Sequence, residues 1–126
     1  MAKKVKYELE FEMHCSPRIL FGFLSTPSGL SEWFADNVSF KDGIYTFEWD
    51  GVESKAVIDH KKDNSIVKFK WVDDADNGFF QFEIRTDELT SDVALLVTDH
   101  CLADDINEAK LLWDTQLHNL KQIIGS

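Results

Sequence analysis

Few side chains in this sequence carry the chemistry of an active site. His60 and Asp99 each end a run of alternating apolar residues, so each is expected at the end of a buried strand face. Either one could orient the polar end of a ligand or act as an acid or base, or could simply lie solvated at a strand rim. We find no Ser-His-Asp order and no paired carboxylates on an apolar face. We therefore predict no catalytic residues and leave enzyme activity open, with a non-enzyme favoured.

Two His-Cys pairs supply ligands that zinc accepts, His14-Cys15 and His100-Cys101. If the first strand runs antiparallel beside the last, the pairs lie at opposite ends of the two strands, roughly 25 Å apart. We therefore predict no metal site, no cofactor and no bridge between the cysteines. Only two cysteines and no CxxC also indicate a protein of a reducing compartment, with a cytoplasmic location expected.

Aromatic residues are the most distinctive feature, with ten Phe, four Trp and two Tyr. In the middle of the chain they recur at every second position, which places them on one face of a sheet. Such a face can line a pocket for an apolar ligand or fill a solid core, and the sequence leaves both alternatives open. The predicted ligand-binding residues are Tyr45, Phe47, Trp49, Ile58, Phe69, Trp71, Phe80, Phe82, Leu95, Val97, Trp113 and Leu117.

The elements that must position these residues begin with a strand. Residues 3–13 alternate between apolar and charged side chains, which predicts a half-buried strand. Ser16-Pro17 then predicts an N-cap and first turn for a short helix over 17–24. A second short helix follows Thr26-Pro27 and ends at Trp33-Phe34.

Six strands are expected after the two short helices, and alternation locates five of them. Asp50-Gly51 is a tight hairpin signal, and polar runs at 62–65 and 73–78 predict further turns. The located strands cover 43–49, 53–60, 67–71, 80–85 and 92–101.

The chain is expected to end in a long amphipathic helix. Apolar residues recur there at steps of three and four from Ile106 to Ile124, including Trp113. Asp105 and Glu108 resemble a capping box, and Gly125 occupies the position of a C-terminal cap. An aromatic sheet face and an apolar helix stripe must cover each other. The predicted fold is α+β: an antiparallel sheet of about seven strands curled around this helix, as one domain over residues 1–126.

The order of elements and several motifs resemble the START-like, or helix-grip (SRPBCC), superfamily, which includes the birch pollen allergen and polyketide cyclases. Within it, the chain is most similar to homologues of the activator of the Hsp90 ATPase. The resemblance implies an apolar-ligand pocket between the sheet and the last helix. It is carried by the segments 16–24, 26–35, 67–71 and 112–121.

The acidic composition disfavours two classes of binding partner. Lys and Arg number 13 against 23 Asp and Glu, a net charge of −10, which disfavours binding to nucleic-acid phosphates or anionic lipid. No apolar stretch is long enough for a membrane span. Residues 72–126 hold 3 basic and 12 acidic residues, an excess that either keeps the protein in solution or steers a basic protein partner.

We therefore predict a non-enzymatic module that holds a hydrophobic small molecule, such as a lipid, sterol or polyketide-like compound. The resemblance also implies two alternatives: a co-chaperone-like protein-interaction domain, with a chaperone or another protein as its partner, and a cyclase-like enzyme of the same superfamily. A filled interior with an exposed apolar or acidic patch would favour the interaction domain. Buried polar groups with strongly shifted pKa values would favour the enzyme.

Overall fold

Antiparallel strands form one seven-stranded sheet in the computed structural model, which describes residues 4–72 and 78–125. Two short helices follow the first strand and a long helix ends the chain, so the predicted α+β helix-grip fold is confirmed. The strands are β1 (Lys4–Met13), β2 (Asn37–Lys41), β3 (Ile44–Trp49), β4 (Val52–Lys62), β5 (Ile66–Trp71), β6 (Phe79–Thr86) and β7 (Val93–Leu102). The helices are α1 (Pro17–Ser25), α2 (Pro27–Trp33) and α3 (Ile106–Ile124).

The sheet order is β1-β7-β6-β5-β4-β3-β2. The first strand therefore lies antiparallel beside the last, as predicted, and Tyr7 pairs with Asp99 in this ladder. From β2 to β7 each strand pairs with the next one along the chain. The turn predicted at 73–78 falls on residues 73–77, which lie outside the described residues.

Tight turns join β2 to β3 and β3 to β4. Asp50 and Gly51 have φ values of 50° and 81°, the left-handed pair that a type I′ hairpin requires, so the predicted hairpin is confirmed. Asp42 and Gly43 repeat this geometry with φ values of 54° and 81°. That second hairpin creates β2, the strand that alternation did not locate. Only Val38 of its five residues is buried, so β2 has no apolar face to detect.

Side-chain caps begin the two short helices. Ser16 Oγ accepts a hydrogen bond from the Ile19 N–H at 3.2 Å, and Thr26 Oγ1 accepts from the Gly29 N–H at 3.0 Å. Each cap is followed by a proline in the first turn, where a missing N–H costs nothing. The predicted starts of both helices are confirmed.

The caps predicted for the two ends of α3 have different outcomes. Gly125 ends the helix at φ 82°, and its N–H donates to the Lys121 carbonyl, so the predicted C-terminal cap is confirmed. The predicted capping box is wrong, because Asp105 makes no side-chain cap. A 3-10 turn over Ala103–Asp105 leads directly into α3 and holds Asp105 at φ −100°, ψ 2°, not in the extended conformation of an N-cap.

The core lies between the concave face of the sheet and one side of α3. Trp113, Leu117 and Leu120 form the buried side of the helix. Ile106, Ala109 and Ile124 pack at its margin, which matches the predicted stripe. The two short helices cover one end of this space through residues such as Leu20, Leu24 and Leu30, all with no exposed surface.

Candidate functional site

A cavity of about 420 Å³ opens between α3 and the concave face of the sheet. Its wall comes from five strands, from the residue that follows α2, and from one side of α3. Most of this wall is aromatic or aliphatic, with a few polar groups at one side. The lining residues are Tyr7, Phe34, Trp49, Trp71, Phe80, Asp99, His100, Cys101, Ala109, Leu112, Trp113 and Gln116.

The structure brings four of the predicted ligand-binding residues to this wall: Trp49, Trp71, Phe80 and Trp113. The other eight belong to the packed core or lie against it. Alternation thus located the concave face of the sheet, but it carries no information on where along that face the space is open. The eight core residues are Tyr45, Phe47, Ile58, Phe69, Phe82, Leu95, Val97 and Leu117.

Phe34 separates the cavity from the filled interior. Its ring lies 5.4 Å from the ring of Phe47 and 5.9 Å from that of Phe82, and both of those residues have no exposed surface. Its carbonyl accepts hydrogen bonds from Trp49 Nε1 at 2.8 Å and Gln116 Nε2 at 3.1 Å. These bonds fix Phe34 because the carbonyl at the end of a helix lacks a partner within the helix. Sequence reasoning missed Phe34 as a site residue because it follows α2 and belongs to no alternating strand.

A polar cluster closes one side of the cavity. Trp113 Nε1 donates to the Tyr7 hydroxyl at 3.0 Å and to Asp99 Oδ2 at 3.1 Å, and the Tyr7 hydroxyl donates to the same Oδ2 at 3.3 Å. The backbone N–H of His100 donates to Asp99 Oδ1 at 2.8 Å. Two strands and α3 therefore meet at one carboxyl. The Tyr7–Asp99 register places both side chains on the concave face.

Burial controls the ionisation of this cluster. It raises the pKa of Asp99, while the hydrogen bonds from the His100 N–H, Trp113 and Tyr7 act in the opposite direction. Burial and the charge of Asp99 also raise the pKa of Tyr7, so its phenol stays protonated. The pKa of the Cys101 thiol is raised by burial and by the charges of Asp105 and Asp99. Tyr7 and Cys101 are therefore neutral neighbours of Asp99 at neutral pH.

His60, the other polar residue singled out from the sequence, does not face the cavity. Ile58 pairs with Phe69, but His60 pairs with Lys68, so Asp59 is an extra residue in β4. A bulge of one residue reverses the alternation, which turns His60 to the outer face, where it is exposed. The expectation that His60 shares the face of Ala56 and Ile58 is wrong for this reason.

The two His-Cys pairs lie at opposite ends of the β1–β7 ladder. Met13 pairs with Val93 while Val5 pairs with Cys101, so Cys15 and Cys101 are separated by the length of the strands. Neither cysteine is in a disulfide. Within 4–72 and 78–125, no group of three or more His, Cys, Asp or Glu side chains is placed to hold a metal ion.

A sheet that grips a C-terminal helix, with an aromatic cavity between them, defines the class of helix-grip domains. The chain belongs to the START-like superfamily: the sequence profile of this domain matches residues 1–126. A comparison with curated proteins found no match. In the described part of the chain, no helix has the length and apolar character needed to cross a membrane.

Solved structures share this fold. A Bacteroides fragilis protein solved by NMR is 35% identical, with a TM-score of 0.69 over 98% of this chain and 92% of its own. The Aha1 dimer from Colwellia psychrerythraea has a TM-score of 0.79 at 18% identity, covering 95% of this chain and 96% of that one. DynU16, from the dynemicin biosynthetic locus, also has a TM-score of 0.79 at 14% identity, over 96% of this chain and 47% of its own. The last two likenesses are likenesses of fold alone.

Proposed function

We propose that this domain binds a hydrophobic small molecule in the cavity between the sheet and α3. The observation that carries the proposal is the aromatic wall with one convergent polar cluster at Asp99. Small-molecule sites are typically concave spaces of about 300–1,000 Å³ with apolar walls and a few placed polar groups. The cavity, at about 420 Å³, falls within this range.

Phe34 limits what the cavity can hold. Its ring blocks access to the deep part of the sheet, where Phe47 and Phe82 are fully buried. A long acyl chain would have to displace this ring and break the packing around it. We therefore favour compact ring compounds over extended lipids. Flat rings also suit the indole and phenyl faces of Trp71 and Phe80, whose centroids lie 5.0 Å apart.

Filling the cavity tests the proposal. Ala109 lines it from α3, so Ala109→Leu should occupy the space with little harm to the helix, since leucine is a good helix former. The control is Asn119→Leu, on an exposed position of the same helix. A neutral aromatic probe, 1-naphthalenemethanol, should raise the melting temperature of the wild type and of Asn119→Leu but not of Ala109→Leu. Equal responses of all three proteins, or no response from any of them to either this alcohol or the matching naphthylmethylamine, would contradict the proposal.

A protein-interaction role is the second candidate. α3 exposes two neighbouring leucines, Leu111 at 66% and Leu112, at the edge of the cavity, at 60%, and contiguous exposed apolar side chains can mark a docking surface. The likeness to the Aha1 dimer adds only the fold to this argument. Leu111→Ser separates the two roles because Leu111 lies outside the cavity wall. It should weaken a protein interaction and leave the response to 1-naphthalenemethanol unchanged. A cyclase-like enzyme would instead depend on Asp99 as its proton donor or acceptor.

A further inference from the structure

We propose that the cavity selects an organic cation, an amine or alkylammonium carried on a compact apolar body, with Asp99 as its counter-ion. This inference rests on the proposed function, because it names the class of small molecule that the same cavity would take. It follows from three features of the site: aromatic faces, one carboxyl, and no Lys or Arg along the described wall.

The aromatic wall suits a positive charge. Trp49 and Trp71 stand at 61° to each other with centroids 6.5 Å apart, and Trp113 completes the wall from α3. These three indoles thus contribute to the wall from β3, β5 and α3. The negative face of an aromatic ring attracts a cation, and tryptophan does so most strongly. Neutral apolar ligands gain contact from such a wall, but only a cation gains this electrostatic attraction.

Asp99 supplies the opposite charge. It lines the cavity and receives three hydrogen bonds, from Tyr7, Trp113 and the backbone of His100. An ionised carboxylate accepts about four, so one acceptor site remains for a ligand. Those donors hold the carboxyl in place but bring no full positive charge. A partly buried carboxylate without a full counter-charge is costly, and a ligand ammonium would offset part of that cost.

The described lining residues give Asp99 one basic neighbour, the imidazole of His100, whose positive charge acts to lower the pKa of Asp99. Tyr7 faces it from β1, and His100 and Cys101 flank it on β7. Asp105, close to Cys101, adds a second negative charge near the cavity. No Lys or Arg is among the described lining residues. A ligand carboxylate would therefore meet negative charge without a Lys or Arg partner, while the net charge of −10 attracts cations from a distance.

Three ligands that share one skeleton provide the test: naphthalene carrying –CH2NH3⁺, –CH2OH or –CH2COO⁻. Affinities are measured by calorimetry at pH 7 and low salt. We expect the amine to bind about tenfold or more tighter than the alcohol, the range of a charge-assisted hydrogen bond, and the acetate to bind weakest. Asp99→Asn should remove most of the preference for the amine and change alcohol affinity little.

The matched control is Asp105→Asn, which removes a nearby charge without altering the cavity wall. It should reduce amine affinity far less than Asp99→Asn does. Thermal melting checks that both variants fold. If Asp99→Asn fails to fold, the order of the three ligand affinities for the wild type still tests the cation proposal. An alcohol that binds as tightly as the amine overturns the cation proposal and leaves the proposed function standing, whereas failure of all three ligands to bind overturns both.

Discussion

The ring of Phe34 stacks on the indole of Trp113, with centroids 5.7 Å apart and planes inclined by 23°. This contact joins the residue after α2 to the middle of α3. On one side of it lie fully buried rings such as Phe47, and on the other lies the cavity. The Phe34–Trp113 pair therefore determines how much of the space between sheet and helix is filled.

Removing the Phe34 ring should extend the cavity toward Phe47 and Phe82. We expect Phe34→Ala to lower the free energy of unfolding by about 3–5 kcal/mol, because apolar burial is lost and a void remains. Phe40→Ala is the control, since Phe40 is 53% exposed on β2 and should cost less than about 1 kcal/mol. Urea unfolding measures both. Similar costs for the two variants would mean that Phe34 is not the packing centre described here.

Gly29 lets α1 and α2 approach closely. A Cβ at this position would meet the Gly22 carbonyl, the Phe23 Cα at 2.7 Å and the Thr26 hydroxyl at 2.9 Å. Two of these atoms are backbone and cannot move easily, so Gly29→Ala should destabilise the domain by about 1–3 kcal/mol. Gly22→Ala in α1 meets nothing within 4 Å and should be neutral or stabilising by up to about 1 kcal/mol. Thermal melting of the two variants checks this, and a neutral Gly29→Ala would disprove the close approach.

The pKa of Asp99, raised by burial, gives the stability a defined pH dependence. Between the unfolded pKa of about 4 and the higher folded pKa, the native state binds more protons than the unfolded state. The stabilising contribution is therefore complete below about pH 4 and is lost as the pH rises through the folded pKa. In urea titrations over this range, the stability of wild type minus that of Asp99→Asn should fall with rising pH.

Asp87 provides a control of opposite sign. Hydrogen bonds from the backbone N–H groups of Thr90 and Leu89 lower its pKa, so its contribution is lost as the pH falls. The difference between wild type and Asp87→Asn should accordingly rise with pH. A slope of the same sign for both variants would refute the assignment for Asp99.

The two cysteines should be free and slow to react. Met13 pairs with Val93 and Val5 with Cys101, which separates the thiols by roughly 25 Å along β7. Burial raises the pKa of both Cys15 and Cys101, so little thiolate is present at neutral pH. Non-reducing intact mass should show both thiols intact, with labelling that accelerates above pH 8. A bridged species would be incompatible with the strand order.

The sequence predicted those parts of the fold that local rules control. Alternation located most strands, Ser16 and Thr26 marked helix starts, and Asp50-Gly51 marked a hairpin. Prediction from the sequence failed where pairing with another strand decides which way a side chain faces. The bulge at Asp59 reverses the face of His60, yet no local residue signals it.

The candidate site was predictable only in part, because local patterns place side chains on a face but do not show how that face is packed. Period two placed Trp49 and Trp71 on the concave face, but only three-dimensional packing shows that Phe34 fills the deeper space. Asp99 was recognised from its position at the end of an apolar run. Its partner Tyr7 lies 92 residues away in sequence, and only the β1–β7 pairing brings them together.

The indole N–H resonances of the four tryptophans test most directly whether a small molecule enters the cavity. Trp49, Trp71 and Trp113 line it, whereas Trp33 donates its N–H to the Phe23 carbonyl and does not contribute to the wall. Each signal is assigned by a Trp→Phe variant and followed while naphthylmethylamine is titrated into the ¹⁵N-labelled protein. We expect saturable shifts of the three cavity indoles with one dissociation constant, and an unmoved Trp33 signal. Shifts at Trp33 alone, or four signals that remain fixed up to millimolar ligand, would contradict binding in the cavity.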